Sequence, residues 1–329
     1  MESLYIDRRD TTLSVEASRL IIHHPDMVKA QSVPLTHLRF IVISSNVSLT
    51  TNVLQAFSKA NIACIILNPR KTDDMTFTMP FRHGHAERRL AQYQLHHRDD
   101  LRQKAAQQLV LFKITAQQHT LQRLLARQPQ QSRALTKGIE TLEQIRQSLK
   151  EQPHSIESLR GFEGAAANRY FASLTYCVAA SLQFTGRNRR PPKDPINAAL
   201  SLTYSLTHYE SIRCLTAVGL DPLIGFYHDL SYKRESLACD MVELLRARID
   251  YWVLKQFNQQ VLRIDHFIMD ESVNGGCTLS KTGRAHFYAA YEYQARHWRR
   301  LLRRIARRWL NNLRPYFVEP TADDEVYDD

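Results

Sequence analysis

Glycine is scarce in this chain: there are ten in 329 residues, and the first is Gly84. A loop that brings phosphate against the backbone needs glycine, so the N-terminal region holds no Gly-rich nucleotide cradle. Cysteine is also sparse, and Cys64, Cys177, Cys214, Cys239 and Cys277 lie far apart with no CxxC pair. An odd count at wide spacing excludes a zinc ribbon and a secreted disulfide framework. No apolar run nears the roughly 20 residues of a membrane helix. The N-terminus opens on Glu2, Asp7, Arg8, Arg9 and Asp10 rather than on a signal-peptide core. A cytoplasmic protein with reduced thiols and no membrane partner is therefore expected. Acids fall short as well, 33 against 44 Lys+Arg, for a formal charge of +11. That excess predicts salt-dependent attraction to a polyanion. The last eleven residues, Glu319 to Asp329, carry six acids and no base, so the body is more basic than the total suggests.

The chain's length favours two domains over one. Leu4-Tyr5-Ile6, Thr11 to Val15 and Arg19 to Ile22 read as short strands of a meander. Phe40 to Ile43 and Ile62 to Leu67 read as buried strands flanking a short helix that Thr50 or Thr51 caps and that carries Val53, Leu54 and Phe57. Character changes near Pro80 to Gly84. Ala86 to Gln128 lacks both Gly and Pro, and a helical pattern continues to about Pro315. The fold class expected is α+β: a β-rich domain over 1–84, a helical domain over 85–318 and an acidic, disordered tail over 319–329.

Three strings stand out: Gly161-Phe162-Glu163-Gly164 followed by Ala165-Ala166-Ala167, Ile224 to Asp229 with His228 inside it, and Arg234 to Glu243. With Ser236 as its cap, a helix there carries Asp240 and Glu243 three residues apart and so on one face, projecting into a cleft, with Leu237, Met241, Leu244 and Leu245 on the opposite face. The small residues around Glu163 allow a backbone or a ligand to come close. Oxygen ligands plus one imidazole suit a hard divalent cation of the magnesium or manganese kind. A metal beside a phosphate-gripping surface points to phosphodiester chemistry on nucleic acid. Taken singly, the same residues also fit a helix cap, a core histidine and a solvated helix face.

Together the strings resemble the CRISPR-associated spacer-acquisition integrase, the adaptation endonuclease family. The match runs through Gly161-Phe162-Glu163-Gly164 and Tyr170-Phe171, then the loop Arg190-Pro191-Pro192-Lys193-Asp194-Pro195-Ile196-Asn197. It continues through Gly219 to His228 and Arg234 to Glu243, and reaches N-terminally to Leu4-Tyr5-Ile6-Asp7 and Leu67-Asn68-Pro69-Arg70. The resemblance implies Mg2+ or Mn2+ held by Glu163, His228 and Glu243, with Asp240 as a close acidic neighbour or alternative ligand. All four are candidate catalytic residues. It also implies an N-terminal β-sandwich used in homodimerisation and an all-α catalytic domain. A small ferredoxin-like subunit would bridge two dimers. The implied reaction joins the 3′-hydroxyl of a captured double-stranded DNA fragment to a CRISPR repeat by transesterification.

Arg296 to Trp309 places Trp298, Leu301, Leu302, Ile305 and Trp309 on one helical stripe and seven arginines on the other faces. Arg296, Arg299, Arg300, Arg303 and Arg304 are candidate DNA contacts. So are Arg187, Arg189, Arg190, Lys193 and Asn197 of the Pro-rich loop, and Arg234. Tyr170, Tyr204, Tyr209 and Tyr232 fit core packing or base stacking and are not counted as catalytic. Two other readings stay open: a structure-specific nuclease acting on branched DNA in repair, and a non-enzymatic DNA-binding architectural subunit.

Overall fold

The computed structural model describes residues 3–67, 75–78, 86–188, 191–231, 234–270 and 275–316. The chain divides into two compact units, Met1–His83 with Asp265–Tyr293, and Gly84–Ile264 with Gln294–Asp329. The stretch Asp265–Tyr293, which the linear division at residue 84 gave to the helical domain, groups with the first unit. The boundary residues 81–85 and the acidic tail lie outside the described residues.

The first unit holds strands β1 (Ser3–Ile6), β2 (Thr11–Glu16), β3 (Arg19–His23), β4 (Gln31–Pro34), β5 (Phe40–Ile43) and β6 (Val47–Leu49), helix α1 (Thr51–Lys59), and strands β7 (Ala63–Leu67) and β8 (Met75–Thr78). One four-stranded sheet has the order β1-β5-β7-β8 and the other β4-β3-β2-β6. Leu4, Ile6, Ile41, Ile43 and Cys64 of one sheet share a core with Leu13, Leu20 and Ile22 of the other and with Val53 and Phe57 of α1. This is the expected β-sandwich, with one correction. β1 leaves the meander and pairs in parallel with β5, whose four residues are all buried. Among β1–β4, only β2, β3 and β4 run as an antiparallel meander. β5 and β7 pair in parallel across the α1 crossover.

The second unit begins with α2 (Ala86–His96), α3 (Asp99–Arg127), α4 (Ser132–Glu151), α5 (Ile156–Leu174), α6 (Pro195–Ala217), α7 (Ser236–Glu243) and α8 (Arg246–Asn258). A hairpin of β9 (Phe267–Asp270) and β10 (Gly276–Leu279) follows, belonging to the first unit and lying in a stretch that read as helical. Four-residue strands are too short for a period of two to stand out from a helical one. Helix α9 (Lys281–Leu313) contributes its start to the first unit and its arginine-rich remainder, from Gln294, to the second. In the first unit, the Tyr5 ring stacks on Tyr288 at 4.5 Å and its hydroxyl donates to Glu292 at 3.0 Å, tying β1 to α9. No described helix is long and apolar enough to cross a membrane.

Candidate active site

Helix α5 is capped by Ser155, whose side chain accepts a hydrogen bond from the Ser158 amide, and it anchors through buried Leu159, Ala166, Tyr170 and Leu174. Its Glu163 side chain keeps about a quarter of its surface exposed. Nothing lies within 4 Å of where a Cβ would sit on Gly161 or Gly164, so the small residues leave open surface beside Glu163 rather than admitting a neighbouring backbone.

Helix α7 begins after Glu235, not at a Ser236 cap; Ser236 is its first helical residue and donates to the Asp229 carbonyl at 2.7 Å. Within α7, Asp240 is fully buried, a correction to the expectation that it projects into a cleft. Its Oδ2 accepts from the Phe226 and Tyr227 amides at 2.7 and 3.0 Å, and its Oδ1 accepts from the His228 amide at 3.1 Å. Oδ1 also lies 2.6 Å from His228 Nδ1. Both Asp240 oxygens are thus engaged by the loop that carries His228. A ring that donates Nδ1–H to Asp240 leaves the Nε2 lone pair for a ligand. Gly225 permits this approach: a Cβ there would stand 2.7 Å from the Ser236 carbonyl carbon and 2.8 Å from Asp240 Oδ2. The other side of the loop is held by α2, where buried Gln92 donates to the Asp221 and Ile224 carbonyls at 2.9 and 2.8 Å.

Glu243, at 5% exposure, meets Glu163 through a residue the sequence reading passed over. Lys113, in the buried stripe of α3, pairs with Glu163 Oε1 and stands 2.6 Å from Glu243 Oε2. Arg246 flanks the other Glu243 oxygen at 3.1 Å. Burial opposes the charge on Glu243, but Arg246, then Lys113, outweigh it, with a smaller contribution from His228, and hold the carboxyl down to about 2. Oε2 of Glu243 is buried and accepts no well-directed hydrogen bond. Arg160, one turn before Glu163, and Arg102 both pair with Asp229 beside His228. Deeper, the Tyr204 hydroxyl donates to Asp250, whose carboxyl burial pushes up to about 6 against the pull of Tyr204 and Arg246.

In kind the donors suit a hard cation: two carboxylates from separate helices converge on one positive charge, and the Asp240-bound imidazole of His228 is borne on the loop before α7. As the side chains stand, no three His, Cys, Asp or Glu among the described residues form a ready metal cage, and Lys113 stands between the two acids.

The basic candidates divide. Arg296, Arg300, Arg303 and Arg304 are exposed along α9, and Lys193 and Arg234 are exposed in loops. Arg299 is not available to DNA: it is 1% exposed and its Nε lies 2.6 Å from buried Glu210 Oε1. Asn197 is fully buried, donating to the Gly186 carbonyl at 2.8 Å and to Asp194 Oδ2 at 2.6 Å. Arg187 turns inward, donating to Asn197 Oδ1 at 2.7 Å and Ser201 Oγ at 3.1 Å. Buried Asn197 is taken up in building the start of α6, and half-buried Arg187 is tied to it there. Arg189 and Arg190 lie outside the described residues, as does Tyr232. On the apolar side of α9, Trp309 meets Phe226 edge to face at 6.2 Å, which seats the basic helix against the loop that carries His228.

The missed residues left faint marks in the sequence. Lys113 is a lone cation within Leu109-Val110-Leu111-Phe112-Lys113-Ile114, and Arg246 follows Glu243 by three. Gln92 left none, since its role depends on a loop some 130 residues away in sequence.

A family model described as CRISPR associated protein Cas1 matches residues 4–293. The CRISPR-associated endonuclease Cas1 1 of Thermodesulfovibrio yellowstonii is 37% identical over 314 residues, spanning 94% of this chain and 98% of that protein. Among solved structures, a casposase bound to integration product superposes with a TM-score of 0.83 at 21% identity, covering 100% of this chain and 96% of that one. A Cas1 protein from Thermotoga maritima does so at 0.80 and 21%, covering 97% of this chain and 100% of that one. These two likenesses establish a shared fold: a strand-rich N-terminal part followed by a mostly helical one. With the family model spanning most of the chain and a relative this similar along nearly its whole length, the chain belongs to the CRISPR-associated Cas1 family.

Proposed function

We propose that this Cas1-family chain is a divalent-metal-dependent DNA endonuclease and integrase that inserts captured fragments into a CRISPR repeat array. The observation that carries the reading is the meeting of Glu163 and Glu243, from separate helices, at one positive charge, with His228 held by Asp240 of the same helix as Glu243. The endonuclease name of the Thermodesulfovibrio yellowstonii relative and the integration product bound by the casposase agree with it.

Glu163, Glu243 and Nε2 of His228 would hold Mg2+ or Mn2+. Bound there, the cation would lower the pKa of an attacking hydroxyl or stabilise charge on the leaving oxygen. The protein's part is positioning. In strand transfer, the 3′-oxygen of the fragment bonds to phosphorus, the bond from phosphorus to the repeat's 3′-oxygen breaks, and the proton lost by one hydroxyl is regained by the other. Asp240 fixes His228, and Arg246 keeps Glu243 ionised throughout. Arg102 and Arg160 lie where phosphate oxygens can exchange with Asp229 for their donors. Exposed Arg296, Arg300, Arg303 and Arg304, with Lys193 and Arg234, carry the duplex. By the resemblance, the strand-rich unit pairs two chains and a small ferredoxin-like subunit bridges two such dimers, in the cytoplasm.

The test incubates the protein, with and without that small subunit, with a 3′-hydroxyl duplex and a repeat plasmid under metal titration. Wild type joins strands only with metal. Glu163→Ala, with an unchanged circular-dichroism spectrum, joins at least about a thousandfold more slowly. Equal joining by the variant at matched metal would defeat the proposal. Cleavage of branched DNA without joining would favour the repair nuclease. Salt-sensitive binding without chemistry would leave an architectural subunit.

A further inference from the structure

We propose that Lys113 is the internal counter-ion of this site: its ammonium holds Glu163 and Glu243 together in the metal-free protein, and a divalent cation binds by displacing it. The inference rests on the metal-holding reading above and concerns what occupies that point beforehand.

Lys113 lies within the 29-residue helix α3, among buried Leu109, Val110, Ile114 and Gln117, and its side chain is 4% exposed. Burying an ammonium is strongly unfavourable unless it is paired, and this one has partners on two other helices, Glu163 of α5 and Glu243 of α7. Because Arg246 takes Glu243 Oε1, the remaining oxygen, Oε2, is left to Lys113 at 2.6 Å. That contact is an ion pair between a buried ammonium and a buried carboxylate. Without a cation between them, the two acids would repel across a poorly hydrated gap. Lysine suits an exchangeable role: it is a point charge on a flexible four-carbon stem, whereas an arginine fork would lock onto a carboxylate bidentately. Two consequences follow. The metal-free fold does not depend on metal, and metal affinity is lowered by the work of expelling the resident charge.

Lys113→Met keeps the length and apolar stem and removes the charge. Its metal-free melting temperature is expected to fall by at least about 6 °C, and Mn2+ to restore most of the loss. Calorimetric Mn2+ affinity is expected to rise at least tenfold over wild type. The double variant Lys113→Met/Glu163→Gln, which removes the ammonium and one of its two carboxylates and leaves Glu243 paired with Arg246, should regain most of the metal-free melting temperature. An unchanged or weaker Mn2+ affinity in folded Lys113→Met overturns the displacement, and an unchanged metal-free melting temperature overturns the counter-ion. If Lys113→Met alone fails to fold, a folded double variant supports the proposal and an unfolded one overturns it. Mn2+ uptake by neither wild type nor Lys113→Met would overturn the metal reading itself, an outcome distinct from equal uptake by both.

Discussion

Asp240 illustrates how one buried carboxylate sets the geometry of a neighbour. Three consecutive amides, those of Phe226, Tyr227 and His228, and the His228 ring all point at its two oxygens. Replacing one oxygen by an amide nitrogen puts N–H groups against N–H groups, and the ring loses the acceptor that fixes its Nδ1 proton. Asp240→Asn is therefore expected to lower strand-joining rate or Mn2+ affinity about 10–100-fold while leaving Glu163 and Glu243 in place. A variant that keeps wild-type rate and affinity would show that His228 needs no such support. At this scale the sequence was informative about identity and less so about role. Glu163, His228 and Glu243 stood out in their strings, and the structure brings Glu163 and Glu243 to one lysine, but that Asp240 meets backbone amides depended on Gly225, which lets the loop close onto α7. Lys113 escaped because a cation inside an apolar run has meaning only once the partners across the helix interface are known.

Among the elements, α9 shows why counting arginines misleads. Arg299 and Arg303 are one turn apart in the same basic string, yet one is buried on Glu210 and the other is exposed. Glu210 is itself held low: burial opposes its charge, and Arg213 and Arg299 outweigh it. Arg299→Ala leaves that carboxylate with Arg213 alone and is expected to cost about 3–5 kcal/mol of stability in denaturant unfolding. Arg303→Ala should change stability by no more than about 0.5 kcal/mol, and should reduce the slope of log affinity against log salt for duplex DNA by about 1. The reverse pattern would mean that the buried and exposed faces of α9 are misassigned. The apolar stripe Trp298, Leu301, Leu302, Ile305, Trp309 was legible because a 3.6-residue period over a long helix is a strong signal. The β9–β10 hairpin was not, and neither was the pairing of β1 with β5, because partner choice between short strands is a tertiary matter.

For the molecule as a whole, length and local patterning anticipated two compact units, a strand-rich part and a mostly helical one. They could not reveal that the chain returns to the first unit at Asp265–Tyr293, since that depends on contacts such as Tyr5 with Tyr288 across most of the sequence. The account stands on the second unit folding Glu163, His228 and Glu243 around a place for a hard cation. Manganese soaked into crystals and located by its anomalous scattering addresses this directly. The expected result is a single strong peak ligated by Glu163, Glu243 and Nε2 of His228, with the Lys113 ammonium moved off the two acids. A map with no peak there at saturating Mn2+, or with the ion bound elsewhere and Lys113 still bridging both carboxylates, would contradict it.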